Sequence, residues 1–183
     1  MDPSISLEEF KTIKLIIQYD GTKYYGWQSQ KDENTIQDNI QYAIKKIFPK
    51  QNIKLIGAGR TDSGVHAIGQ VAHIKLKTEF SEEQLRKAIN GNLNSDDIWI
   101  KDCKYKTDDF HARFSAIKRQ YVYNISSDFN PLHRDMYYYY KYKIDFDLLK
   151  ECASLIIGEH DFSLFSKFNP EVDNKVCIVE SSI

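Results

Sequence analysis

The sequence TIKLIIQY, at residues 12–19, predicts the first strand of a sheet. Every second residue is apolar, which is the spacing of side chains on one face of a strand. These residues are Ile13, Leu15, Ile17 and Tyr19. The segment DGTKYYGWQ follows at residues 20–28, and its opening Asp-Gly pair indicates a loop. We therefore expect a strand over residues 12–19 that ends in a loop.

Two amphipathic helices are expected further along the chain. Residues 35–48 carry apolar side chains at helical spacing, and Thr35 with Asp38 resembles a capping box. The apolar stripe consists of Ile36, Ile40, Ala43, Ile44 and Ile47. A second helix is expected to begin near Ser81, because Gln84 follows three residues later. Its apolar side consists of Leu85, Ala88 and Ile89.

Three more strands complete the pattern of the first half. They are expected at residues 53–58, 70–77 and 98–105. The resulting order is strand, helix, strand, strand, helix, strand, which is the split βαβ pattern of ferredoxin-like folds. Residues 10–106 are therefore predicted to form an N-terminal ferredoxin-like lobe.

The second half, residues 107–183, predicts a similar but incomplete lobe. Its strands are expected at residues 117–126, 136–143 and 175–183. The tyrosine run at 137–140 is interpreted as a strand with both faces covered. A helix is expected over residues 146–157, with Gly158 as its C-cap. The predicted fold class is α+β, with two ferredoxin-like (RRM-like) lobes whose antiparallel sheets are flanked by helices, the second lobe lacking its second helix.

The composition indicates a soluble protein of the cytoplasm. The 183 residues suffice for one domain or two small fused lobes, and the net charge of −1 argues against a non-specific polyanion binder. A local basic groove is compatible with that charge. The three cysteines form no CxxC pair and the five histidines no HxxxH pair, so neither disulfides nor a metal site is expected. Without a long apolar run or a signal-peptide core, no membrane partner is expected.

The segment GRTDSGVHA, at residues 59–67, places a single carboxylate in a glycine-flanked turn. Asp62 follows Arg60 by two residues and precedes Gly64 by two. Glycines let a backbone turn sharply and approach a ligand. A nearby guanidinium favours the ionised carboxylate, which suits a nucleophile better than a proton donor. A plainer interpretation is also open, in which Asp62 hydrogen-bonds its own backbone.

These residues give the chain a resemblance to the tRNA pseudouridine synthase A family. GRTDSGVHA resembles the catalytic loop of that family, and the match runs from about residue 13 to the end of the chain. Four further segments match in order: YDGTKYYGWQ at 19–28, GQVAHI at 69–74, DDFHARFSA at 108–116 and GEHDFSLF at 158–165. The resemblance implies an isomerase that converts uridine to pseudouridine in the anticodon stem-loop of tRNA.

The resemblance also implies roles for two residues. Asp62 is the expected catalytic aspartate, which either bonds to the anomeric carbon of the ribose or removes a ribose proton to leave a glycal. Because the reaction gains and loses no atoms, no cofactor is expected. Tyr121, in KRQYVYNI, matches the tyrosine that packs on the target base, and Tyr123 shares its strand face. One stacked base contributes about 1–3 kcal/mol, which offsets much of the cost of flipping it.

Two arginines are further candidates for substrate binding. Arg60 is expected either to position Asp62 or to hold a phosphate, because residues two apart on an extended segment point to the same side. Arg119 lies on the predicted strand face of Tyr121. Arg113, in HARFS, is open to two interpretations, a phosphate contact or a structural salt bridge.

The aromatic residues of the first loop are also open to two interpretations. Tyr24, Tyr25 and Trp27 either line an RNA cleft or wedge the loop onto the sheet. Asp20 is expected to open the turn.

Family members are longer, so the resemblance implies that a C-terminal part with a conserved arginine is missing here. A homodimer is expected for the family and left open for this chain. A second hypothesis is a catalytically impaired RNA-binding module, or a fragment of such an enzyme, that offers sheet aromatics to bases. A third hypothesis, a hydrolase with an aspartate nucleophile, lacks the second acid such enzymes use.

Overall fold

The computed structural model describes residues 9–165 and 175–180, and the chain divides into two compact units after Gln120. The described residues contain antiparallel sheet pairings and three α-helices, as expected for an α+β chain. The expected lobe boundary lay after residue 106, whereas residues 107–120 belong to the first unit. No helix in the described ranges is long and apolar enough to cross a membrane.

The first unit is built on a four-stranded sheet in which each neighbouring pair is antiparallel. Its elements are β1 (Lys11–Tyr19), α1 (Ile36–Ile47), β2 (Ile56–Gly57), β3 (Ala67–Leu76), α2 (Glu82–Asn92) and β4 (Ile98–Lys106). The strands lie in the order β2, β3, β1, β4. The predicted succession of strands and helices is therefore confirmed.

Strand β1 lies between β3 and β4, and its alternating side chains fill the core. Ile13, Leu15 and Ile17 are fully buried, as expected from TIKLIIQY. Leu15 pairs with Ala72 on one side and Cys103 on the other, so apolar residues of three strands meet on one face. Burial raises the pKa of the Cys103 thiol to about 12, which keeps this core residue neutral.

Both helices of the first unit begin where local capping predicts. Thr35 caps α1 by accepting from the Asp38 N–H, and its hydroxyl donates to the Asp38 carboxylate at 2.6 Å. Ser81 and Gln84 form a complete capping box at α2. The buried faces of the two helices join the same core as β1. They contribute Ile36, Ile40, Ala43, Ile44, Leu85 and Ile89.

The strand predicted at 53–58 is much shorter than expected, because only β2 pairs with the sheet. The backbone of Leu55 bonds to helix side chains instead. Its N–H donates to Gln41 Oε1 at 3.0 Å, and its carbonyl accepts from Gln37 Nε2 at 2.8 Å. These glutamines satisfy backbone groups that a longer strand would have paired with β3.

Residues 107–115, which we call the HARF segment, attach to the sheet through two polar contacts. The hydroxyl of the fully buried Thr12 donates to Asp108 Oδ1 at 3.0 Å. The Ala112 N–H donates to Nδ1 of His73, which is also buried, at 3.1 Å. Burial lowers the pKa of His73, and the neighbouring His111 and Lys75 lower it further. The neutral ring is thus the form that accepts from the HARF segment.

The second unit consists of short elements with exposed side chains. They are β5 (Ile125–Ser126), β6 (Tyr138–Tyr139), α3 (Phe146–Leu155), β7 (Gly158–Asp161) and β8 (Val176–Val179), with 3₁₀ turns at Pro131–His133 and Ser163–Phe165. Strands β5 and β6 pair in parallel, and β7 and β8 pair antiparallel. No side chain of α3 is buried.

Several predictions for the second unit are wrong in extent. The strand predicted at 117–126 is reduced to β5, because only Ile125 and Ser126 pair with β6. The tyrosine run is not covered on both faces, since Tyr138 and Tyr139 are 55% and 43% exposed. In the described part of the chain, β6 has one short partner strand, which leaves these rings in solvent.

The ends of the last predicted elements also shift. Helix α3 ends at Leu155, because the N–H of its cap Ile156 turns back to Ala153 and Ser154. Gly158, expected as the C-cap, instead begins β7 with a φ of +108°. The final strand is β8, and the predicted extension to residue 183 reaches beyond the described residues.

Acid should destabilise the first unit through His73. Its pKa is lowered on folding from the ordinary 6.5, so the unfolded chain takes up a proton first as the pH falls. The free energy of unfolding should therefore fall below about pH 6.5, by at most about 1.4 kcal/mol per pH unit. Both tryptophans lie in this unit, so denaturant titrations followed by their fluorescence measure it.

The variant His73→Gln keeps an acceptor for the Ala112 N–H but does not titrate, so it should flatten the slope between pH 7 and 5. The matched control is His133→Gln, at an exposed position in the other unit, which should retain the slope. An unchanged slope in His73→Gln would show that other groups cause the acid sensitivity.

Candidate active site

Asp62 lies on the connection between β2 and β3, and we call residues 58–66 the Asp62 loop. Asp62 and Arg60 are exposed, whereas Thr61 between them is half-buried. The Thr61 hydroxyl lies 2.9 Å from the hydroxyl of the buried Tyr19. The Val65 N–H donates to the Asp62 carbonyl at 3.3 Å, and Gly64 has a φ of +78°. The tight glycine turn expected from GRTDSGVHA is therefore present, with its carboxylate in solvent.

A second loop, residues 20–28, holds the Asp62 loop from one side, and we call it the Gly26 loop. The Trp27 N–H donates to the Thr61 carbonyl at 3.1 Å, and the Gly64 N–H donates to the Tyr24 carbonyl at 3.2 Å. Gly26 has a φ of +80°, and a Cβ there would overlap the Thr61 carbonyl oxygen. Two of the motifs identified in the sequence thus pack directly on one another.

Strand β3 and Arg119 also hold the Asp62 loop, through side-chain bonds to its backbone. Gln70 on β3 donates through Nε2 to the Gly59 carbonyl at 2.7 Å. Arg119 donates through Nη2 to the Ala58 carbonyl at 3.0 Å and to the Arg113 carbonyl at 3.2 Å. Separate elements therefore fix the backbone on the N-terminal side of Asp62.

The side chain of Asp62 keeps its carboxylate available. Within the described ranges, no donor hydrogen-bonds to this carboxylate and no cation pairs with it. The interpretation in which Asp62 only bonds its own backbone therefore lacks support in the structure. The expected Arg60–Asp62 contact is also not formed, because residues 60–62 leave the regular strand and both side chains extend into solvent.

The Gly26 loop settles the two interpretations of its aromatic residues. Tyr24 and Trp27 are 4% and 1% exposed, so they wedge the loop onto the core, whereas Tyr25 is 54% exposed. Asp20 opens the turn as expected, because its Oδ1 accepts from the N–H and the hydroxyl of Thr22. These two bonds lower the pKa of Asp20.

Sequence reasoning missed several residues that shape the site. His66 lies on the Asp62 loop, and its Nδ1 is 3.0 Å from Asp20 Oδ1 and accepts from the Gly21 N–H at 3.2 Å. Tyr19, Thr61 and Gln70 also connect the loop to the sheet. No spacing rule marks such contacts, since their partners are distant in the sequence.

Tyr121, the expected base-stacking residue, is the first residue of the second unit. It is 74% exposed, and Tyr123 is 76% exposed. Both rings are therefore accessible to a nucleobase. The Asp62 loop and Arg119 belong to the first unit.

The chain is similar to known proteins. A family model described as tRNA pseudouridine synthase matches residues 15–115, which include the Gly26 loop, the Asp62 loop and the HARF segment. A protein of Thermoanaerobacter sp. (strain X514) named tRNA pseudouridine synthase A is 42% identical over 157 residues, covering 85% of this chain and 64% of the relative. The chain belongs to the tRNA pseudouridine synthase family.

Other relatives with the same name extend the comparison. The protein of Acetivibrio thermocellus is 43% identical over 157 residues, and that of Parvibaculum lavamentivorans is 37% identical over 169 residues. They cover 85% and 91% of this chain, respectively. The chain spans 64% and 68% of the length of these two relatives. The match to the family model ends at residue 115, before Arg119 and Tyr121.

Gly26→Ala should displace the Asp62 loop. A Cβ at this position overlaps the Thr61 carbonyl, and alanine is also strained at a φ of +80°. We expect a loss of about 2–5 kcal/mol of unfolding free energy from strain and overpacking together. Tryptophan fluorescence during denaturant unfolding measures this loss.

Two further glycines separate the causes of that loss. Gly64→Ala introduces strain alone, because its φ is +78° and nothing lies within 4 Å of the new Cβ. Gly91 lies in helix α2 with open space around it, so Gly91→Ala should raise the free energy of unfolding slightly. If Gly26→Ala lowered the free energy of unfolding no more than Gly64→Ala does, the close approach to Thr61 would not constrain the loop.

Proposed function

We propose that this chain isomerises uridine to pseudouridine in the anticodon stem-loop of tRNA, with Asp62 as the catalytic residue. The observation that carries this proposal is an exposed carboxylate, without a partner in the described part of the chain, on a loop whose backbone is held by several elements. Such a carboxylate can approach a sugar without first breaking a protein contact. Membership of the tRNA pseudouridine synthase family supports the same reaction.

The reaction breaks the bond between uracil N1 and the ribose C1′ and forms a bond from C1′ to uracil C5. The proton on C5 leaves to solvent and N1 gains a proton, so product and substrate are isomers. Asp62 serves either by bonding to C1′ or by removing a ribose proton to give a glycal intermediate. Both routes need an ionised carboxylate at the sugar and no cofactor.

Two of the remaining expected site residues, Arg60 and Tyr121, would bind the RNA. Arg60 is exposed and two residues from Asp62, which suits a phosphate beside the target nucleotide. Tyr121 is exposed enough to stack on the extruded base. The homodimer, expected for the family and left open for this chain, and the cytoplasmic location stay predictions.

We also infer that the first unit is a ferredoxin-like lobe. Its β-α-β-β-α-β order and the strand order β2, β3, β1, β4 support this assignment. The second unit would then be part of a second lobe of the same synthase domain. In this arrangement, the Asp62 loop crosses between β2 and β3 at the edge of the sheet.

Asp62→Asn should abolish turnover and preserve tRNA binding. The amide keeps the size of the side chain but cannot act as an anionic nucleophile or base. We expect release of tritium from tRNA labelled at uridine C5 to slow by about 1,000-fold or more. The matched control is Asp96→Asn, an exposed aspartate of the same unit, which should release tritium at the normal rate.

Two outcomes would contradict this proposal. If Asp62→Asn lost tRNA affinity while bound tRNA still reacted at the normal rate, Asp62 would be a binding residue. If the chain without substitutions bound tRNA but released no tritium above background, it would be a non-catalytic RNA-binding module.

Tyr121→Ala should weaken the tRNA complex, whereas Tyr121→Phe should keep its stacking. Loss of one stacked base costs about 1–3 kcal/mol, which is roughly 5- to 150-fold in affinity. Tyr123→Ala is the matched control, because the two rings have nearly equal exposure of 74% and 76%. A titration of tRNA binding and the tritium assay together measure the effect. Equal binding and activity for Tyr, Phe and Ala at position 121 would remove this residue from the site.

A further inference from the structure

Arg119 joins two segments that are far apart in the sequence. Its Nη2 donates to the Ala58 carbonyl at 3.0 Å, in the Asp62 loop, and to the Arg113 carbonyl at 3.2 Å, in the HARF segment. The side chain also runs along Gly59, where a Cβ would lie 3.6 Å from Nε and 3.9 Å from Cδ. One guanidinium nitrogen thus connects the loop of Asp62 to a second motif.

The HARF end of this connection is itself held in place. The Ser115 N–H donates to the His111 carbonyl at 2.8 Å, and the His111 N–H donates to Ser115 Oγ at 3.0 Å. The Ala112 N–H donates to His73 Nδ1 on strand β3. The carbonyl of Arg113 is therefore a fixed acceptor. Because Nη2 of Arg119 bonds to it and to the Ala58 carbonyl, the position of Ala58 is fixed relative to the HARF segment.

We propose that Arg119 is a positioning residue for Asp62 and not a ligand of RNA phosphate. This proposal rests on the proposed function, because it presupposes that Asp62 reacts with the substrate. Nη2 is already used by two protein carbonyls, so the guanidinium is oriented by the protein. Arg60, by contrast, makes no hydrogen bond or ion pair within the described ranges and remains available for a phosphate.

The planar fork of arginine is the property that this role requires. Two N–H groups on one nitrogen meet two carbonyl oxygens in a fixed geometry, which the ammonium of lysine does not reproduce. A displacement of about 1 Å at a catalytic group can slow a reaction by about 100-fold. Loss of this bridge should thus appear in the chemical step and not in the strength of RNA binding.

The test compares Arg119→Gln, Arg119→Lys and the matched control Arg60→Gln. We would measure amide hydrogen exchange of Ala58 and Gly64 without RNA, tRNA affinity over a salt series, and single-turnover tritium release at saturating tRNA. Both Arg119 variants should speed exchange at these amides and slow tritium release by about 10- to 100-fold. Their tRNA affinity and its salt dependence should match those of the unmodified chain.

Arg60→Gln should show the opposite result. Its amide exchange should be normal, while tRNA affinity falls and the slope of log affinity against log salt decreases by up to about 0.9. The proposal for Arg119 is overturned if Arg119→Gln instead shows this pattern. It is also overturned if Arg119→Lys restores normal exchange and a normal rate, because charge alone would then suffice.

The exchange measurement separates this proposal from the proposed function. If the unmodified chain releases no tritium, faster exchange at Ala58 and Gly64 in both Arg119 variants still supports the bridge, while the synthase activity fails. If tritium release is normal and exchange does not change in either variant, the bridge fails and the synthase activity stands.

Discussion

The site depends on the close approach of the Gly26 backbone to the carbonyl of Thr61. No side chain other than hydrogen fits between them, and the positive φ of Gly26 turns the next residue, Trp27, so that its N–H reaches that carbonyl. The Trp27 side chain is 1% exposed and lies against Tyr19 at a ring distance of 6.2 Å. The core of the first unit therefore extends directly to the residue before Asp62.

In residues 58–66, backbone carbonyls form bonds to the rest of the first unit, whereas the side chain of Asp62 does not take part in them. The carbonyls of Ala58, Gly59 and Thr61 each accept a hydrogen bond from a different part of the first unit. A single hydrogen bond contributes only about 0.5–1.5 kcal/mol net, but several acting along one short segment restrict it strongly. Because these bonds use backbone atoms, the carboxylate of Asp62 stays free of protein partners in the described part of the chain. The arrangement holds an exposed carboxylate in place without neutralising it.

The sequence predicted those features that local physical chemistry determines. The caps at Thr35 and Ser81 depend on residues three apart, and the burial of Leu15 follows from alternation. Features that depend on distant partners escaped prediction. The strand before Ala58 is short because Gln37 and Gln41 on a helix satisfy Leu55. The pattern of the tyrosine run likewise indicated a strand but not how much of it would be covered. The turn around Asp62 was predictable from its glycines, whereas the bridge by Arg119 was not.

The lack of an ion pair between Arg60 and Asp62 has a physical consequence for recognition. In the proposed reaction, a paired carboxylate would have to lose its guanidinium before approaching the ribose, and that exchange would raise the barrier. Two separate exposed charges can instead meet different parts of one nucleotide, the arginine its phosphate and the aspartate its sugar. A nucleotide placed this way would have its phosphate against the Arg60 guanidinium and its reacting carbon near the Asp62 carboxylate. For the proposed RNA substrate, separate charges on Arg60 and Asp62 are thus better suited than the ion pair that was one of the two expectations for Arg60.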